Sequence, residues 1–439
     1  MNPFVSTLVI ALLALAGSRI SFSTERVPAA TRLLFRAGTH FLFLGMLLGP
    51  LVLDVLTPDA VALLYPLLGL GLGWIGLLFG LQLERETLKK FPATFPSFAM
   101  AQALVTFFVV AGLGMAGLYL ARFSSESASF VVLAGAATAA VSAPAGIALV
   151  STNFLVRGQV RRLLFFTASI DGLAGILLLH LIYAWFHGTG VLPTFGPGGA
   201  LFWAGAGLAL GVVFGVVFIW LTRLRPEREE LILYLMGISA LSAGAALQLQ
   251  LSPLFVGVIM GALVANLSPE RARIFRELQR WEQPIYIVLL IIAGAFIRLP
   301  TPWIGALVAL YTALRMLGKV AGTAVAARGL ALDFRLPGAS GLGLVPQGGI
   351  SIAMALSLQV SLGGLGLQVA GHDAGELLFA TIVLGVVASD LVGPLLTTRI
   401  FRRAGEIRHE VEAAIAAGDE DAARIAAVRP TQDHLNRLP

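Results

Sequence analysis

Long apolar runs separated by short polar loops fill the chain from Pro3 to Ile400. A helix of about 20 residues crosses a hydrocarbon core of about 30 Å, and most of these runs reach or approach that length. The pattern predicts an all-α polytopic membrane protein of about thirteen transmembrane helices, over residues 3–19, 33–55, 60–83, 95–121, 129–152, 162–186, 199–222, 230–249, 251–267, 283–298, 302–328, 339–362 and 376–400. The basic residues of the loops sort by parity. Clusters such as Arg85/Lys89/Lys90, Arg157/Arg161/Arg162, Arg271/Arg273/Arg276/Arg280 and Arg402/Arg403 follow odd-numbered spans, whereas only Arg122 and Arg298 follow even ones. Cytoplasmic loops collect Lys and Arg, so the N-terminus is expected outside and the C-terminus inside. The first run has no basic residue before it and Arg19, Arg26, Arg32 and Arg36 after it. That order is the reverse of a cleavable signal peptide and reads as a first span.

Two of the spans are interrupted at mid-depth. The fifth reads Ala139-Ala140-Val141-Ser142-Ala143-Pro144-Ala145-Gly146, and the twelfth reads Leu344-Val345-Pro346-Gln347-Gly348-Gly349. Proline removes a backbone donor and glycine weakens the helix. Freed backbone groups at that depth need protein or water partners. Spans 1–6 and 8–13 are expected to form two inverted six-helix repeats with span 7 as linker, so the two broken helices would correspond. The sixth and thirteenth spans also correspond, and each carries one buried acid, Asp171 and Asp390. Paired interruptions of this kind point to a transporter binding site.

Composition narrows the reading. Apolar residues make up 57% and charged residues 12%, against roughly 25% charged in soluble domains. With so few charges, most of the surface faces lipid. There is no cysteine, which excludes disulfides, thiolate metal sites and cysteine nucleophiles. The net charge of +6 comes from loop arginines and predicts no nucleic-acid partner. No phosphate-binding Gly-Lys-Ser/Thr loop or nucleophile elbow is present, so no enzyme activity and no cofactor are expected. Residues 405–439 form a short polar tail with a helical stretch near Gly405–Val428, expected in the cytoplasm.

A charge at mid-bilayer costs at least about 2.5 kcal/mol and marks function by default. Asp171 is the first such group: an aspartate in this setting holds either a proton or a dehydrated cation, and that competition amounts to exchange at one site. Thr167, four residues earlier on the same face, and Ser142 of the first break are candidate oxygen ligands of the monovalent cation. Arg315 and Lys319 share one face of span 11. They are expected to compensate charge, either at half-helix C-terminal ends or, for Lys319, by pairing with Asp171. Asp390 is expected to balance one of them. Glu84, Glu282 and Arg298 read as residues of the span ends, and His180 as a hydrogen-bonded structural histidine.

The chain resembles the monovalent cation/proton antiporter superfamily across its membrane region. Gly45-Met46-Leu47-Leu48-Gly49-Pro50 is similar to the glycine-proline motif of an early span, and Leu78-Phe79-Gly80-Leu81-Gln82-Leu83-Glu84 to a later span end. Ser142-Ala143-Pro144 stands where the family has Thr-Ser-Pro or Thr-Asp-Pro, and Asp171 at its ion-binding aspartate. Leu317-Gly318-Lys319-Val320-Ala321-Gly322 resembles its basic helix, and Val392-Gly393-Pro394 and Gly405-Glu406 its last span and exit. The resemblance implies a homodimer in a bacterial inner membrane. It implies a transmembrane domain over residues 1–404, with a static dimerisation part near 1–90 and 230–300 and a mobile core near 95–190 and 302–404. The core would hold the crossing broken helices, with Pro144 and Gly146 in one and Pro346, Gly348 and Gly349 in the other, and elevator-like movement would carry Asp171 between faces. The chain departs from the family at Ile170, Ala143 and Phe166, where oxygen-bearing residues are usual. Na+ and K+ both stay open as the cation exchanged for H+. Two other classes stay open: a sodium-coupled organic-anion carrier of related fold, and a potassium channel-like efflux protein.

Overall fold

A computed structural model of the chain describes residues 38–56, 64–123, 125–188, 199–223, 226–362 and 365–416. The first expected span lies outside the described residues, as does the tail beyond Ala416. A helix falls in each of the other expected spans. In chain order the helices are α1 (Thr39–Leu48), α2 (Tyr65–Leu81), the short α3 (Arg85–Leu88) in the loop after it, α4 (Thr94–Leu120), α5 (Glu126–Ala139) and α6 (Pro144–Asn153). Next come α7 (Gln159–Gly188), α8 (Ala200–Arg223), α9 (Arg228–Gln248), α10 (Pro253–Leu267) and α11 (Arg271–Phe296). Helix α12 (Ile304–Gly329), a 3-10 turn (Ser340–Leu344), α13 (Gly348–Leu362), α14 (Ala374–Arg403) and the small α15 (His409–Ala416) complete the order. Among the described residues, seven stretches are long and apolar enough to cross a membrane, with α5 and α6 counted as one; α2, α10 and α13 are shorter and apolar.

Some boundaries differ from the hydropathy reading. Helix α11 begins at Arg271, not near residue 283. Its first turns are amphipathic, with Arg273, Arg276, Arg280 and Glu277 along them, so they read as a basic loop although they are helical. The first half of the twelfth span is a 3-10 turn and not an α-helix. A two-stranded antiparallel hairpin, β1 (Gln368–Val369) and β2 (His372–Asp373), precedes α14 and has no hydropathy signal. Its turn residues, Ala370 and Gly371, both have positive φ (51° and 80°), which suits the twist of a tight hairpin.

Helices sort by how much they bury. In an 18-residue apolar stretch of each, 67% of the α5–α6 residues and 61% of those of α7 and α14 are buried, against 28% in α4, α8 and α12, which carry much of the lipid-facing surface. The heaviest helix contacts fall into two sets, with α2 on α9 and α10 and α1 on α11 in one, and α4 on α12 and α7 and α13 on α14 in the other; α8 bridges them, packing on both α10 and α7. Lipid offers no hydrophobic drive for helix association, so close backbone contact between small residues does the work. Gly76 and Gly80 of α2 meet Gly257 and Gly261 of α10. A Cβ on Gly80 would lie 2.2 Å from the Val258 carbonyl oxygen, and one on Gly261 2.3 Å from that of Leu77.

Candidate functional site

The two interrupted spans cross at their breaks. After α5 the chain runs extended through Ser142 and Ala143, and α6 restarts with Pro144 at its first turn, where a missing N–H costs nothing. After the 3-10 turn, Val345–Gln347 leads to α13, which starts at Gly348 with φ of 61°. Ala143 N–H donates to Pro346 O at 2.8 Å and ties the breaks together. A Cβ on Gly146 would lie 2.6 Å from the Pro346 ring, and one on Gly348 2.6 Å from Ala143 Cβ. Pro144, Gly146, Pro346 and Gly348 therefore meet at the crossing, with Gly349 beside Gly348.

Breaking two helices inside a bundle frees backbone groups of both signs, and four buried side chains take them up. Arg315 donates to the Ala139 carbonyl at the end of α5, and to Leu344 O (3.1 Å) and Val345 O (3.0 Å) at the end of the 3-10 turn. Lys319 donates to Ala140 O at 2.6 Å. A helix C-terminus carries negative partial charge, so two cations suit these ends. The carboxylates sit at the opposite ends. Asp171 of α7 accepts Ser142 N–H on Oδ1 at 2.9 Å and the Ser142 hydroxyl on Oδ2 at 2.6 Å. Asp390 of α14 accepts Gln347 N–H at 2.9 Å and Gly348 N–H at 3.3 Å. Lys319 Nζ also donates to Asp171 Oδ2 at 2.9 Å, in an ion pair with both side chains fully buried.

Ser142, Asp171 and Lys319 thus form one hydrogen-bonded group. Thr167 is buried nearby on α7, but its hydroxyl has no hydrogen-bond partner among the described residues and does not reach Asp171. Asp390 makes its hydrogen bonds with backbone N–H groups and forms no ion pair with Arg315 or Lys319. His180 bonds Ala204 O at 3.1 Å and stacks on Phe255. Glu84 pairs with Arg271 at 2.8 Å and Arg298 with Glu376 at 3.1 Å, both toward span ends.

A polar knot beside the crossing was not singled out from sequence. Gln347 Nε2 donates to Tyr311 Oη at 2.6 Å and to Thr138 O at 2.9 Å, and Tyr311 Oη lies 3.1 Å from Thr138 Oγ1. The available signal was spacing: Tyr311, Arg315 and Lys319 recur every four residues on one helix face.

A cavity of about 460 Å³ opens between the two helix groups. Ile75, Leu78 and Phe79 of α2 and Glu282 and Tyr286 of α11 form one wall; the break residues and Asp390 form the other. Asp171 does not line it. At the base of α7, outside the apolar segment, Glu406 accepts Val160 N–H (2.7 Å) and Arg161 N–H (2.9 Å). Burial there pushes its carboxyl above the usual range, against the opposing pull of those N–H groups and Arg161.

A family model for the sodium/hydrogen exchanger, transmembrane, matches residues 9–403. No curated protein matches the chain. The solved structure of the sodium proton antiporter MjNhaP1 from Methanocaldococcus jannaschii at pH 8 is similar over 91% of this chain and 99% of its own, at 17% identity and a TM-score of 0.62. An electron-microscopy structure of the same antiporter matches over 93% and 97%, at 16% identity and a TM-score of 0.58. At such identity the likeness is one of fold.

Proposed function

Because the chain belongs to the sodium/hydrogen exchanger family, we propose that it exchanges a monovalent cation, Na+ or K+, for H+ across the membrane, with Asp171 as the site shared by cation and proton. It is a multi-pass transmembrane protein, and its helices carry the two broken segments that such a site needs. The observation that carries the proposal is the group at the first break. A fully buried carboxylate is held by Ser142 and by one displaceable ammonium, that of Lys319. An incoming cation and the ammonium compete for the same oxygen, Oδ2. One cation entering as one proton leaves the Asp171–Lys319 pair keeps the charge of the core constant, which fits electroneutral exchange. Ser142 Oγ, bonded to Asp171, and the buried, unpartnered Thr167 hydroxyl of α7 are candidates to complete the cation's oxygen shell.

The protein would act as a homodimer with its N-terminus outside and its C-terminus in the cytoplasm, in the thirteen-span, inverted-repeat arrangement. Residues 1–90 and 230–300 would be the static part and 95–190 and 302–404 the moving core. The division of helix packing into two groups, with a cavity between them, supports an elevator-like movement. The cavity's charged lining is acidic, Glu282 and Asp390, and Arg315 is occupied by carbonyl oxygens, which disfavours an organic-anion substrate.

The test is proton flux in liposomes with an acid interior. Addition of sodium or potassium outside should collapse the gradient in wild type and leave it intact in Asp171→Asn. No response of the wild type to any alkali cation, or an unchanged Asp171→Asn, overturns the proposal.

A further inference from the structure

Of the two carboxylates that cap the breaks, Asp390 is the one that meets open space. Asp171 is fully buried with both oxygens engaged, Oδ1 by Ser142 N–H and Oδ2 by Ser142 Oγ and Lys319. Asp390 stands to α13 as Asp171 stands to α6, accepting backbone N–H groups where the second half-helix begins. The symmetry stops at the second oxygen. Asp390 engages only Oδ1, with Gln347 and Gly348. Its Oδ2 has no hydrogen-bond partner among the described residues, and the side chain, 5% exposed, lines the 460 Å³ cavity.

Two further oxygens face the same space. Tyr286 of α11 reaches the first turn of α13: a Cβ on Gly349 would lie 2.0 Å from its hydroxyl oxygen. Glu282, one helical turn before it, lines the cavity and is exposed. Among the described residues, no Lys, Arg or His lines this cavity. Its volume holds on the order of ten waters at about 30 Å³ each, so an ion there can keep part of its hydration shell. Fixed oxygens are too few for a divalent cage such as Ca2+, which takes about six to eight, and the two charged residues of an otherwise mostly apolar lining, Glu282 and Asp390, both repel anions.

We infer that Asp390, with the Tyr286 hydroxyl and the Glu282 carboxylate, forms a second monovalent-cation site, open to the cavity while Asp171 is closed. The choice of alkali cation as its ligand rests on the exchange reading; the site itself does not require Asp171 to be the transport residue. A cation entering from this cavity meets Asp390 first. With Asp171, Asp390, Arg315 and Lys319 all ionised the buried set is neutral, so an ion at Asp390 adds one charge to the core.

The experiment is equilibrium binding of radiolabelled sodium and, as a potassium surrogate, rubidium to the purified full chain at alkaline pH. Two ions per chain are expected for wild type, one for Asp390→Asn, one for Asp171→Asn and none for the double variant. Asparagine keeps an acceptor for Gln347 and Gly348 N–H, and the ion retained by Asp390→Asn reports an intact fold. Glu282→Gln lies outside the crossing and should weaken one of the two affinities several-fold with the count unchanged. A purely structural Asp390 would not produce that effect. A wild-type chain that binds no ion, or an Asp390→Asn count equal to wild type, overturns the inference; a single wild-type ion lost in Asp390→Asn and kept in Asp171→Asn upholds it. If Asp390→Asn binds like wild type while Asp171→Asn loses proton flux, this inference falls and the exchange reading stands. If the two-ion count holds but no alkali cation drives proton flux, the reverse is true.

Discussion

Replacing Arg315 by methionine removes the guanidinium that joins the two breaks and keeps a side chain of similar length. Three carbonyl oxygens lose their donor: Ala139 on one broken span, Leu344 and Val345 on the other. A hydrogen bond to a charged group contributes about 1.5–3 kcal/mol, so the loss is about 4.5–9 kcal/mol. Methionine restores part of the apolar packing and none of the bonding, because water is excluded at this fully buried position. Arg315→Lys keeps the charge as a point donor without the planar fork. It should retain one end of the bridge and lose about half as much. At an unfolding entropy of about 2.1 cal/mol/K per residue, a chain of this size shifts by about 1 °C per kcal/mol, so Arg315→Met should lower the melting temperature in detergent by at least about 5 °C, with Arg315→Lys between it and wild type. Tryptophan fluorescence follows the transition. A melting temperature for Arg315→Met within about 1 °C of wild type, corresponding to about 1 kcal/mol, would refute the idea that this guanidinium holds the crossing together.

Two further outcomes follow from the geometry. Gly348→Ala places a side chain in a left-handed conformation costing about 1–2 kcal/mol and forces a Cβ to within 2.6 Å of Ala143 Cβ; proton flux in liposomes should fall at least several-fold, and wild-type flux would contradict the tightness of the crossing. Glu406 has a raised folded pKa through burial, so the folded state holds its proton more strongly than the unfolded chain. Its docking on α7 is favoured below the ordinary carboxylate range and weakens as pH rises through the folded value. Hydrogen exchange at Ile407–Val411, corrected for intrinsic rates, should speed up across that window in wild type, and Glu406→Gln should flatten the change.

Hydropathy and charge were enough to locate the helices of the described residues, because a hydrocarbon solvent permits few alternatives to an apolar helix. They failed where a helix is charged on one side, as at the start of α11, and where local turn geometry decides, as in the hairpin at Ala370 and Gly371. The site was partly legible. Proline and glycine mark both breaks, and the desolvation cost of intramembrane charge singles out Asp171, Asp390, Arg315 and Lys319 from the sequence alone. The cationic compensation of half-helix ends was also readable, since a helix break in lipid leaves unsatisfied carbonyls in need of donors.

Partner choice was decided only by tertiary structure. Lys319 pairs with Asp171 while Asp390 meets backbone N–H groups, and Thr167, at the right helical spacing for a ligand, makes no bond to the carboxylate. Spacing along one helix fixes which residues share a face; it carries no information on which other helix that face meets, or at what depth. The Gln347–Tyr311–Thr138 knot joins three helices far apart in sequence and depends on their crossing. Likewise, that the open cavity ends on Asp390 and leaves Asp171 sealed is a property of how two packed helix groups stand against each other. The sequence sets which charges are buried; the packing sets which of them water can reach.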